Sequence, residues 1–239
     1  MENNKAGTQK GRKGDSTMEE FVVKINNLNF RYDVGDFQIS IDDFKVQANE
    51  KLAIVGPSGI GKTTLLNLLA GILTPGKGTI VVADYNIAEL GHEDRQDYRA
   101  LKMGLVFQEF ELLEYLSVLD NVLLPFRVSP VLKLNNEVID NAKKLCSEIG
   151  LGDKLSRYPG HLSQGERQRV AVCRALVTNP ILLLCDEPTG NLDRVNRDHV
   201  IDMLFRYSET KAAPLIIVTH DQDLVGRFDM SFDMNEVAA

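Results

Sequence analysis

The chain has 239 residues, 44% of them hydrophobic and 26% charged, a balance that gives a globular protein a sizeable core in one large domain or two small ones. A formal net charge of −7 and a pI near 5.2 weigh against nucleic acid as the partner. No apolar run approaches the roughly 20 residues that cross a bilayer, and the N-terminus has no apolar secretory segment.

Residues 1–18 are poor in large apolar side chains and are expected to form a flexible, solvated tail, with the folded domain running from 19 to 237. From Phe21 the pattern alternates: "FVVKINNLNF" and "FQISIDDFKV" predict half-buried strands of an antiparallel edge. The texture then changes to continuous apolar runs, "KLAIV" (51–55), "MGLVF" (103–107), "ILLLC" (181–185) and "PLIIV" (214–218), which suit strands covered on both faces. Helical periodicity at Lys62–Ala70, Gln164–Leu176 and Val195–Tyr207 follows most of these runs, and strand then helix, repeated, means a mostly parallel α/β sheet. Between about 110 and 160 the periodicity is helical, clearest in "EVIDNAKKLCSEIG" with Gly150 as C-cap, so a helical subdomain is expected as an insert. Cys146, Cys173 and Cys185 are far apart in sequence and fit neither a zinc cluster nor a disulfide framework; they read as buried thiols in a reducing compartment.

"GPSGIGKTT" (56–64) fits G-x-x-x-x-G-K-[ST] between a strand-like run and a helix-like one. Glycines at 56, 59 and 61 let backbone N–H groups turn inward onto phosphate oxygens; Lys62 reaches the β and γ phosphates and Thr63 holds Mg²⁺. Gly56, Ser58, Gly59, Gly61, Lys62, Thr63 and Thr64 are therefore the candidate nucleotide contacts. In "ILLLCDEPTGNLD" an apolar strand ends in two acids. Adjacent strand residues point opposite ways, so Asp186 is assigned to Mg²⁺ and Glu187 to the attacking water. "HLSQGERQRV" opens a helix with Ser163 and Glu166 in capping-box spacing. The turn reads as a plain cap or, through its free N–H groups and positive helix end, as an anion site.

Together these segments resemble the nucleotide-binding ATPase of ABC transporters over about 20 to 230: a Walker A loop, Gln108 of "LVFQEF" as Q-loop, the signature "LSQGE" (162–166), Walker B with Glu187, a D-loop "NLD" (191–193) and His220 of "IIVTHD" as switch histidine. The resemblance implies a P-loop NTPase fold and ATP with Mg²⁺ as cofactors. It further implies Tyr32 stacked on adenine, Gln108 as sensor of Mg²⁺ and attacking water, and His220 at the γ-phosphate. Ser163, Gly165 and Asp193 would serve ATP held by the second copy of a dimer. The signature departs from the family's common Leu-Ser-Gly-Gly-Gln at Gln164 and Glu166. The motifs look most like the branch of lipoprotein release, macrolide export and cell division. That implies a cytoplasmic subunit held on the inner face of the membrane by a separately encoded transmembrane permease, with no span of its own and no nucleic acid. Surplus apolar side chains in "FELLEYLSVLDNVLLPF" (110–126) fit either core packing or a groove for a permease helix. Powering a permease and regulating a membrane complex without moving a substrate both remain open on sequence.

Overall fold

The computed structural model describes residues 21–190 and 192–236. The expected tail at 1–18 and Asn191 of the D-loop lie outside these residues.

Strands β1 (Phe21–Arg31) and β2 (Gln38–Gln47) pair antiparallel with Ile25 opposite Phe44 and Phe30 opposite Ile39, which puts their alternating apolar side chains on one buried face. They do not extend the parallel sheet. β3 (Lys51–Val55) and α1 (Lys62–Leu69) come next in the chain, and then β4 (Lys77–Val82) and β5 (Tyr85–Asn86), which join β1 and β2 in a separate antiparallel sheet of order β2-β1-β4-β5. Helix α2 (His92–Lys102) leads into β6 (Met103–Val106); the helical stretch contributes α3 (Val118–Val122), α4 (Leu124–Val128) and α5 (Asn136–Glu148). Then come α6 (Gln164–Leu176), β7 (Leu182–Asp186), α7 (Arg194–Lys211), β8 (Leu215–Val218), α8 (Gln222–Val225) and β9 (Met230–Asp233). The second sheet is parallel, in the order β6-β7-β8-β3-β9.

Period-two alternation splits the continuous apolar runs between two cores. Leu52, Ile54, Leu182, Leu184, Ile216 and Val218 face α1 and the antiparallel sheet, whereas Leu183, Cys185, Leu215 and Ile217 face α6 and α7. Helix α6 belongs to two clusters at once. Val172 and Leu176 pack toward the parallel sheet, while Val170 and Cys173 pack on α3 and α5. Cys146 and Cys173, both buried, share the cluster between α5 and α6, and Cys185 is buried in the sheet.

Several elements differ from the sequence expectation. Strands β4 and β5 and helix α2 lack a long periodic run: α2 buries only Tyr98, and β4 begins with two exposed residues, so local pattern carries little signal there. β9 is a short edge strand held beside β3, with Phe232 edge-on to Phe44 at a centroid distance of 4.9 Å. β6 stops at Val106 and leaves Phe107 exposed. Most of the apolar surplus at 110–126 packs inward, with Val118, Val122 and Leu123 buried beside α5 and α6 and Leu112, Leu119 and Phe126 against them, leaving Tyr115 74% exposed.

Asn121, fully buried, pins the loop ahead of α3: its Oδ1 accepts from the Leu113 N–H at 2.9 Å and its Nδ2 donates to the Leu113, Leu116 and Ser117 carbonyls at 3.0–3.1 Å. Removing it strands buried backbone groups, each costing about 1–3 kcal/mol. Asn121→Ala is expected to lower the thermal midpoint by about 5–10 °C in calorimetry, the scale of a few kcal/mol in a domain of this size.

Candidate functional site

Strands β3, β7 and β8 end level with one another. Ile54 pairs with Val218 and Val218 with Asp186, and the Glu187 N–H donates to the Val218 carbonyl at 3.0 Å while that of Thr219 donates to Ile54 at 3.2 Å. The loops that leave this line carry the candidates.

Beyond Val55 the chain turns through Gly56, Gly59 and Gly61 at φ +144°, +80° and +107°, a conformation side chains rarely adopt. At Gly61 there is also no room: a Cβ would stand 2.5 Å from Cζ of Phe37. Helix α1 starts here with no side-chain cap on its free N–H groups, the ordinary make-up of a phosphate site. Lys62, 8% exposed, lies over the loop and donates to the Gly56 and Pro57 carbonyls at 2.8 and 2.9 Å. Ser58 and Gly59 are exposed at the apex. Tyr32 shares a 3.1 Å hydrogen bond with the Thr64 hydroxyl, and its ring stands edge-on to Phe30 and tilted against Phe37.

The Thr63 hydroxyl donates to Asp186 Oδ2 at 2.7 Å. Burial pushes the Asp186 carboxyl above its ordinary range, aided by the neighbouring Glu187 charge and opposed by the Thr63 hydrogen bond and Lys62. The two acids are not separated by strand pleat. β7 ends at Asp186, and Glu187 turns out of it at φ +44°, a left-handed conformation costing a non-glycine residue roughly 1–2 kcal/mol. Its Oε1 lies 3.2 Å from Nδ1 of the exposed His220. Both side chains line a small hollow of about 200 Å³ with Thr189, Gly190 and Asp221. Phe107 lines another hollow with Thr63 and Asp186, and Gln108 is exposed immediately beyond it.

Ser163, Gly165 and Asp193 form a second group. Ser163 caps α6 in a complete capping box, with its Oγ accepting from the Glu166 N–H at 3.3 Å and Glu166 Oε2 accepting from the Ser163 N–H at 2.7 Å. A Cβ on Gly165 would meet the Asn196 side chain at 2.6 Å. Asn196 in turn donates from Nδ2 to Asp193 Oδ2 and accepts from Arg169 Nη1, both at 2.6 Å. The N–H and side chain of Asn196 hold the Asp193 carboxyl below its ordinary pKa. Among the described residues, no hydrogen bond or ion pair joins Ser163, Gly165 or Asp193 to the 56–64 loop or to the two acids.

Residues 40–190 match the family described as ABC transporter. The chain belongs to this family. Its ABC relatives include the lipoprotein-releasing system ATP-binding protein LolD of Hydrogenovibrio crunogenus, 39% identical over 92% of this chain and 96% of that one, and LolD of Treponema denticola, 36% identical over 91% and 96%. The macrolide export ATP-binding/permease protein MacB of Rhodopirellula baltica is 36% identical over 90% of this chain and 32% of that longer protein. A dimeric ATP-binding cassette solved in a post-hydrolysis state with ADP and Pi superimposes with a TM-score of 0.77 at 28% identity, covering 88% of this chain and 93% of that chain. As an ABC cassette the protein is an ATP-hydrolysing enzyme.

Two residues of this ABC cassette escape sequence reasoning. Phe37 seats the phosphate loop from a turn outside the motif, and Asn196 ties the signature to Asp193. Neither belongs to a spacing pattern; only the fold brings them to the loops.

Glu166 also receives Lys154 Nζ at 2.7 Å, and this ion pair, with the Ser163 cap, lowers its pKa to about 2. A carboxyl depressed in the folded state stabilises above its unfolded pKa, here 4.5, and that contribution fades as pH falls toward 2. Glu166→Gln keeps a capping-box side chain and loses the charge. Urea unfolding of this variant is expected to weaken less than wild type between pH 6 and 3.5; parallel curves would remove the ion pair from the pH response.

Proposed function

We propose that the protein is the ATP-binding subunit that dimerises around two ATP molecules and drives a separately encoded membrane permease of the lipoprotein-release or export type. One observation carries the reading: each chain holds two phosphate-ready turns, the Gly56–Thr63 loop and the Ser163–Gly165 helix start, with no bond between them among the described residues. Two such chains placed head to tail complete each other's sites, Ser163 and Gly165 of one facing the γ-phosphate on the loop of its partner, with Asp193 beside them.

In each site Lys62 neutralises β and γ oxygens, the loop N–H groups hold the phosphates, and Tyr32 stacks on adenine beside Thr64. Gly56, Ser58, Gly59 and Gly61 supply the cradle. Glu187 accepts a proton from water as its oxygen attacks the γ-phosphorus, the bond to the β–γ bridging oxygen breaks, and ADP and phosphate leave. His220, already facing Glu187, stabilises the γ-phosphate and fixes the carboxylate. Mg²⁺ fits the hard oxygens of Thr63 and Asp186, since burial raises the pKa of Asp186 and a cation would favour its charged form. Gln108 would complete the set. Bound Mg²⁺ would supply charge neutralisation at the β and γ oxygens.

No helix among the described residues is long and apolar enough to cross a membrane. A permease contact on the exposed Phe107, Tyr115 and Val128 would hold the subunit on the cytoplasmic face of the membrane.

Lys62→Ala is expected to abolish ATP turnover with the fold intact by circular dichroism, and Glu187→Gln to keep ATP binding while slowing hydrolysis at least about a hundredfold. Near-normal turnover in either removes that residue from its role. The shared site is tested by mixing two Glu187→Gln chains, one also Ser163→Arg and the other also Lys62→Ala. Each alone should trap no ATP in a dimer, and the mixture about one per heterodimer, because one composite site is whole. If that mixture traps no ATP, the Lys62→Ala chain is paired with a chain bearing only Glu187→Gln and the heterodimer is isolated by a different tag on each chain; ATP trapped in that heterodimer alone would rule out the shared site.

A further inference from the structure

A cavity of about 580 Å³ opens between α5, α6 and α7, outside the phosphate loop and behind the signature half-site, to which Arg169 links it through Asn196. Its size falls in the range of about 300–1,000 Å³ that small-molecule sites occupy. One wall is apolar: Leu145, Ile149, Leu176, Met203 and the ring of Tyr207. That ring is fixed, because Tyr207 Oη donates to the Pro180 carbonyl at 3.0 Å.

The remaining lining is strongly basic in a chain whose net charge is −7. Lys144, Arg169, Arg206 and Lys211, with His199, stand against only Glu148 and Asp202. Both acids are engaged: Glu148 with Lys144, and Asp202 with Arg227, a residue outside the cavity. Arg169 gives Nη1 to Asn196, but its buried Nε has no partner. Among the described residues Arg206 and Lys211 form no ion pair. Cations left without carboxylates at the mouth of an apolar slot recognise a ligand with both features.

We propose that this cavity is a binding site for a small organic anion with a flat apolar body. The rings lie on Tyr207, Met203 and Leu145, and the charged end meets Arg206 and Lys211, with Arg169 at the inner end. The proposal does not depend on the permease reading.

The probes are 8-anilinonaphthalene-1-sulfonate and its uncharged counterpart N-phenyl-1-naphthylamine, which carries the same rings without the anion. Fluorescence titration of the full chain should give one sulfonate site per chain, bound at least about tenfold tighter than the neutral probe. In Arg206→Glu with Lys211→Glu the sulfonate should weaken by about tenfold or more while the neutral probe changes less than about twofold. Thermal midpoint and ATP turnover should stay at wild-type values. If charge reversal unfolds the chain, Arg206→Gln with Lys211→Gln keeps the test, with an intermediate loss of the sulfonate's advantage expected. Equal binding of the two probes overturns the proposal. So does a sulfonate preference that survives in the variants, including one that ADP displaces, because that anion would be sitting on the phosphate loop.

Discussion

The constraint on which the rest depends is the register of three parallel strands. Because Ile54, Val218 and Asp186 stand side by side, the first residues past each strand emerge together on one edge of the sheet: the glycine loop, Glu187, and Thr219 with His220. In an open parallel sheet this carboxyl end is where ligands collect. A slip of one residue would move every apolar side chain of the slipped strand to the wrong core and would also misplace its loop. Packing and chemistry are thus fixed by the same hydrogen-bond ladder. The continuous runs that look redundant as sequence are what hold it, since each strand must satisfy a core on both faces.

Helix α6 extends that control to the second half-site. Its N-terminus leaves Ser163 exposed and seats Gly165, buried, against Asn196, while its body is committed to two clusters on opposite sides. The capping box and Lys154 fix where the helix begins, and Asn196 fixes where it lies against α7. Gly165 is required by crowding against that asparagine rather than by backbone conformation. The two halves of the chemistry therefore rest on different supports, a sheet register and a helix cap.

What the sequence makes legible is what depends on near neighbours. The Gly56–Thr63 loop reads directly because the strand before it, the glycines and the lysine are contiguous, and the capping box at 163–166 reads because its partners are three residues apart. β1 and β2 announce themselves by alternation. By contrast β4, β5, α2 and β9 are short, half polar or at an edge, so their place comes from the sheet that receives them. The same holds at the site: Phe37 reaches Gly61 and Asn196 reaches Gly165 only after folding, and the pleat argument for Asp186 and Glu187 fails because the strand ends between them.

Lys62 leads to a thermodynamic point. Its ammonium group is held by two backbone carbonyls of the loop it is expected to serve. Two of its three N–H donors are taken, so the loop orients the ammonium and leaves the third donor for a phosphate oxygen. Part of the ordering entropy of a long, flexible side chain is then lost on folding and not on binding. The same two carbonyls keep a nearly buried cation solvated by its own backbone, which offsets the cost of taking its charge out of water.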